Sequence, residues 1–117
     1  MRLNEVVYTD AVPVDGYGPG FFRVGGEARE GPLLLSHRGA ASWGGYDDHE
    51  SLLALAGDVD VLFVGTGAEI AHIPADLRAR LEEAGIGVEV MATGPACRSF
   101  NVLLSEGRRI ALAALPV

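Results

Sequence analysis

From Asp60 the chain reads DVLFVGTG, and Val61 to Val64 form an apolar run with no polar interruption. A strand with one wet face alternates apolar and polar residues, so an unbroken run of this kind belongs to a strand covered on both faces. Cover on both faces calls for helices. The residues that follow supply them: IPADLRARLEEAG places Pro74 where a first helical turn tolerates proline and Gly85 where a left-handed cap is useful, with Leu77, Leu81 and Ala84 on one face. IGVEVMA is the next strand. TGPACRSFNVLLSEG then offers Thr93 as a cap, a stripe of Ala96, Phe100, Leu103 and Leu104, and Gly107 as a stop. RRIALAALPV closes the chain as a last strand ended by Pro116.

Upstream, DDHESLLALAG pairs Asp47 with Glu50 in the spacing of a capping box, which predicts a short helix ending near Gly57. Before residue 46 the texture changes. Short runs such as FFRV (21–24), PLLLSH (32–37) and AASW (40–43) are separated by DGYGPG, GGEAREG and RG, the punctuation of hairpins or a meander. The residues therefore predict an α/β fold in one domain spanning 1–117: a β-rich part over about 1–46 and an α/β core over about 47–117. Short loops between alternating strands and helices make consecutive right-handed crossovers the expected topology.

An apolar fraction of 49% with 21% charged residues is that of a globular chain able to offset its ordering entropy. A net charge of -7 repels phosphate backbones, and the basic residues, all arginines, are scattered; nucleic acid is excluded as a partner on this reading. Arg108 and Arg109 are the only adjacent pair and read as a solvated strand start. One cysteine cannot form an internal disulfide, which fits a reducing compartment. MRLNEVVYTDAV carries no apolar run of signal-peptide length, and no segment approaches the roughly 20 apolar residues of a membrane span. The expected setting is the cytoplasm.

Chemistry in such a sheet gathers at loops after strand carboxyl ends. Two qualify, GTG (Gly65, Thr66, Gly67) and ATGPA (92–96), each with a Thr-Gly dipeptide. The helix start after Thr93 adds unsatisfied N–H groups and a partial positive charge, so Gly65, Thr66, Gly67, Thr93, Gly94, Cys97, Arg98 and Asn101 form a candidate crevice for a small anion or metabolite. The same residues serve equally as turns, caps and helix packing. Cys97 in the first helical turn is either an activated thiol or a small hydrophobe, and packing is the favoured reading because no histidine is near in sequence. Arg98 and Asn101 share a helix face, to bind an anion, to pair with an acid or to lie in solvent. His37, His49 and His72 are dispersed, and the acidic DDHE is better explained by capping, so no metal site and no cofactor is expected. Trp43 and Tyr46 are read as core residues rather than partner anchors.

The segments GFFRVGG, PLLLS, SW, DVLFVGTG and IPADLRARLEEAGIGVEVMATGPACRSFNVLLSEGRRIALAALP together resemble a small domain family. That family includes the mitochondrial NADH dehydrogenase (complex I) assembly factor 3, the adipogenesis-associated domain protein and mostly uncharacterised bacterial and archaeal members. The resemblance covers nearly the whole chain and is most specific from Asp60 to Pro116. It implies a three-layer α/β architecture with a mixed central sheet and an N-terminal β-rich layer. It also implies protein partners in an assembly role and allows a homo-oligomer; Gly65 to Gly67 and Thr93 to Asn101 match its motifs, yet no catalytic residue travels with them. A non-catalytic interaction domain is thus favoured over an enzyme or anion-binding protein built on the Thr-Gly loops.

Overall fold

Side chains alternate across the central sheet, and that alternation sorts the core into two clusters. The computed structural model describes residues 12–117, so the reading of the N-terminal MRLNEVVYTDA as free of a leader lies outside the described residues. Five short strands come first: β1 (Val14–Gly18), β2 (Phe21–Val24), β3 (Glu27–Glu30), β4 (Leu33–Ser36) and β5 (Gly39–Ser42). They are followed by α1 (His49–Leu53), β6 (Val61–Gly65), α2 (Ala75–Glu83), β7 (Gly87–Met91), α3 (Thr93–Ser105) and β8 (Ile110–Ala114).

Strands β1, β2 and β3 form an antiparallel three-stranded sheet, and the other five form a mixed sheet in the order β5-β4-β8-β6-β7. The β-rich half therefore divides: the β4–β5 hairpin extends the core sheet instead of joining the separate layer. Consecutive crossovers are present in β6, β7 and β8, which are mutually parallel, but the chain reverses after β7 and inserts β8 between β6 and the antiparallel β4. The mixed sheet is the one the family resemblance implies, and the simple parallel progression is corrected. Two crossovers that run in opposite directions with the same hand place their helices on opposite faces.

On one face Leu62 and Val64 of β6, Ala111 and Ala113 of β8, and Leu34 of β4 meet Leu52 of α1 and Leu77 and Leu81 of α2. On the other, Phe63, Ile110, Leu112, Ala114, Leu33 and Leu35 meet Ala96, Cys97 and Phe100 of α3 and Val14, Phe22 and Val24 of the small sheet. Three layers result. All five residues of β8 are buried, as a strand paired on both edges and covered on both faces requires. Leu52, Leu62, Leu77, Phe100 and Leu112 are wholly shielded from solvent, and burying each such side chain contributes about 1.5–3 kcal/mol before ordering costs.

Helix boundaries follow the expected signals with local shifts. Pro74 takes the cap position itself (φ -56°, ψ 134°), so α2 begins one residue later. Gly85 and Gly107 follow α2 and α3 in left-handed conformations. Asp48, not Asp47, caps α1: its carboxylate accepts from the Ser51 N–H at 3.2 Å, the Ser51 hydroxyl at 2.7 Å and the Gly44 N–H at 3.0 Å. The Gly44 loop decides between two adjacent aspartates by presenting its donor to the second.

These bonds, the Ser51 hydroxyl first and the Gly44 N–H next, hold the Asp48 carboxyl below its ordinary 3.8. A folded value below the unfolded one means that the bonds stabilise the protein in full above pH 3.8, and that this stabilisation is lost as pH falls through the folded value. Asp48→Ala is expected to cost about 1 kcal/mol in urea unfolding at neutral pH. The gap should close in acid; a gap that persists unchanged there would contradict the capping role.

Candidate functional site

Loops after β6 and β7 leave the sheet toward opposite faces, which makes the space above these neighbouring strands the natural crevice of the fold. Of the residues chosen from the sequence, Gly65, Thr66, Gly67, Thr93 and Gly94 lie there, and Gly67 and Thr93 bond to each other; Asn101 lies toward the other end of the strands. Thr93 is fully buried. Its hydroxyl donates to the Leu115 carbonyl at 2.7 Å and accepts from the Gly67 N–H at 2.9 Å, while its own N–H donates to the Gly67 carbonyl at 2.8 Å. Thr93 is therefore the first residue of α3 rather than its cap, which is Ala92 with no side-chain bond. A buried hydroxyl must find partners, and the two neighbouring chain segments offer better ones than its own helix.

Thr66 is used in the same way. Its N–H donates to the Met91 carbonyl at 2.9 Å; its hydroxyl donates to the Glu69 carbonyl at 2.7 Å and accepts from the Ala71 N–H at 3.1 Å. Gly65 has to be glycine for space: a Cβ there would stand 2.8 Å from the Thr93 hydroxyl and 3.0 Å from its Cα. At Gly94 a Cβ would collide with the Tyr17 hydroxyl and meet the Arg98 guanidinium at 3.5 Å. Tyr17 of β1 thus reaches the first turn of α3, a contact no local sequence signal announces.

Asn101 is the second such contact. Its amide accepts from the Val14 N–H and donates to the Val14 carbonyl, both at 2.9 Å, as a neighbouring strand would. It lies 87 positions from its partner and fastens the small sheet to α3. Cys97, one turn before it, is 3% exposed. Burial pushes its thiol up to about 11, against the opposing pull of the Arg98 guanidinium. The thiol is protonated at neutral pH, as fits a packed side chain. Arg98 itself is exposed.

Of the remaining candidates, Trp43 is buried against Tyr46 in an edge-to-face pair with centroids 5.8 Å apart. His49 accepts through Nδ1 from Arg80 at 2.9 Å, and His37 stands 3.6 Å from Asp58. Among the described residues no group of three His, Cys, Asp or Glu side chains is placed to hold a metal ion. No described helix is long and apolar enough to cross a membrane.

Two outcomes follow from this geometry. Thr93→Val keeps the volume but strands the Gly67 N–H and the Leu115 carbonyl, and should lower unfolding free energy by about 2–3 kcal/mol; a change within error in urea titration would contradict the bridging role. Iodoacetamide should modify Cys97 only slowly in the native protein at pH 8 and rapidly after unfolding in urea, with no effect of added phosphate; fast native labelling would contradict the buried, protonated thiol.

Several known proteins are similar to this chain. An uncharacterised protein of Rhodobacter capsulatus is 50% identical over 117 residues, covering all of this chain and 94% of that one. NADH dehydrogenase [ubiquinone] 1 alpha subcomplex assembly factor 3 of Danio rerio is 36% identical over 107 residues, which are 86% of this chain and 62% of that protein. A crystal structure described as an outer membrane protein from Bartonella henselae superimposes with a TM-score of 0.84 at 34% identity, covering 92% of this chain and 96% of that one. Residues 14–115, from the strand held by Asn101 to the segment held by Thr93, match the family described as a protein of unknown function (DUF498/DUF598), and the chain belongs to that family.

Proposed function

We propose that the chain is a non-catalytic protein-interaction domain that acts in the manner of an assembly factor, holding a partner protein rather than transforming a substrate. The observation that carries this reading is the 36% identity to the zebrafish assembly factor over 86% of the chain. Supporting it, Thr66 and Thr93 direct their polar groups to neighbouring backbone, and the Cys97 thiol is buried and protonated. Ile70, 67% exposed in the loop after β6, and Val102, 56% exposed on α3, are large apolar side chains open to solvent.

A second reading keeps the Thr-Gly loops as an anion site. It rests on the convergence of the Arg98 guanidinium and the Tyr17 hydroxyl at Gly94, beside the start of α3. Of the candidate residues, Gly94 and Arg98, together with Tyr17, would then frame a small carboxylate or phosphate, while Gly65, Thr66, Gly67, Thr93, Cys97 and Asn101 hold the backbone and packing around them.

The test is genetic and biochemical together. Deleting the gene in its host should lower the amount of assembled respiratory NADH dehydrogenase on native gels, and both the wild type and Cys97→Ala should restore it. Unchanged assembly would sink the proposal. Unchanged assembly with a phosphate-dependent rise in Tm that Arg98→Gln removes would transfer support to the anion reading.

A further inference from the structure

At the opposite end of the parallel strands from the Thr-Gly loops, the amino ends of β6 and β8 border a cleft of about 470 Å3. Its apolar lining is Pro13, Val59, Leu104 and Ile110, and Arg108 and Arg109 contribute the cations. The volume falls within the roughly 300–1,000 Å3 typical of small-molecule sites. Val59, in the loop that leads into β6, and Ile110, the first residue of β8, are themselves core residues, so this floor is anchored in the buried core.

Charge narrows the class of ligand. The one carboxylate of the lining, Asp58, already accepts from Arg38 at 2.7 Å and stands 3.6 Å from His37. Arg38, which is not part of the lining, therefore compensates it, with His37 of the lining beside it. Arg109 is steadied by the Gly57 carbonyl at 2.9 Å and shared with Asp60 at 3.5 Å, which leaves donors of its planar fork for a further acceptor. Arg108 lines the same cleft beside it. In a chain of net charge -7, the cleft is a local concentration of positive charge over an apolar floor. Two arginines suit one carboxylate; a polyphosphate would call for more cations, and the chain has no lysine to supply them.

We infer that this cleft binds a small amphipathic carboxylic acid, with the carboxylate on Arg108 and Arg109 and the hydrocarbon body on Val59, Leu104 and Ile110. The inference stands apart from the assembly reading and uses neither Thr-Gly loop; Asn101, one of the candidate crevice residues, lines this cleft instead.

Octanoate titrated into the 15N-labelled full chain tests it directly. Amide shifts should saturate and centre on Val59, Leu104 and Ile110. Octan-1-ol, which lacks the charge, and acetate, which lacks the body, should each bind about tenfold more weakly or worse. Arg108→Gln, on the surface and folded as judged by its own spectrum, should weaken octanoate by a similar factor and leave octan-1-ol unchanged. The inference is overturned by shifts that do not saturate or centre elsewhere, by octan-1-ol binding as well as octanoate, or by an Arg108→Gln variant that binds octanoate as the wild type does.

Discussion

The buried hydroxyl of Thr93 holds together three parts of the chain that are distant in sequence. Through Gly67 it reaches the loop after β6, through Leu115 the segment after β8, and by its own position the start of α3. The Leu115 N–H in turn donates to the Gly65 carbonyl at 2.9 Å, so the exits of two neighbouring strands are joined beside the hydroxyl. At a fully buried hydroxyl each of these groups must be paired, and a paired buried network tolerates few alternative arrangements. The entry direction of α3 is set there, and much else follows from it.

Once α3 is aimed, its inner face lies over β6 and β8 and its flank meets the small sheet. Asn101 then presents an amide at the height of Val14, and Tyr17 meets the helix start where Gly94 leaves room. The small residues of β8 matter here. Ala111 and Ala113 on one face and Ala114 on the other allow the helical layers to approach a strand that carries hydrogen bonds on both edges. Larger side chains come from the neighbours, Leu62 and Val64 toward α2 and Phe63 toward α3, so bulk and smallness interlock across adjacent strands.

The two ends of the parallel strands consequently differ in character. At the carboxyl end, where this class of sheet usually receives ligands, threonine hydroxyls and backbone groups satisfy each other. At the amino end, ion pairs and arginines border an apolar cleft between the last turns of α3 and the entry to β6. The buried Cys97 belongs to the packed core.

Much of this was legible in the residues because it depends on neighbours in sequence. The apolar run Val61 to Val64, the proline and glycine that bracket α2, and the stripe of α3 each report a local period or a backbone requirement, and each element is found where those signals stand. Local signals also misled where tertiary partners competed. Asp47 and Asp48 are equivalent to a sequence reading until Gly44 turns its N–H toward one of them, and Thr93 looks like a cap until Leu115 and Gly67 arrive to claim its hydroxyl. By itself the sequence determined the strands and helices of the α/β core, which faces are apolar and that the thiol lies in the α3 start; it missed β1 and β3, most of whose residues fall in DGYGPG and GGEAREG, read as punctuation because glycines and charges there carry no apolar alternation. Only the tertiary structure decided that β8 enters between β4 and β6, that Asn101 binds Val14, and that Arg108 and Arg109 flank a cleft with Leu104. Strand order and side-chain convergence are set by which edges and faces meet across long loops, and residues that far apart leave no periodic trace in the chain that joins them.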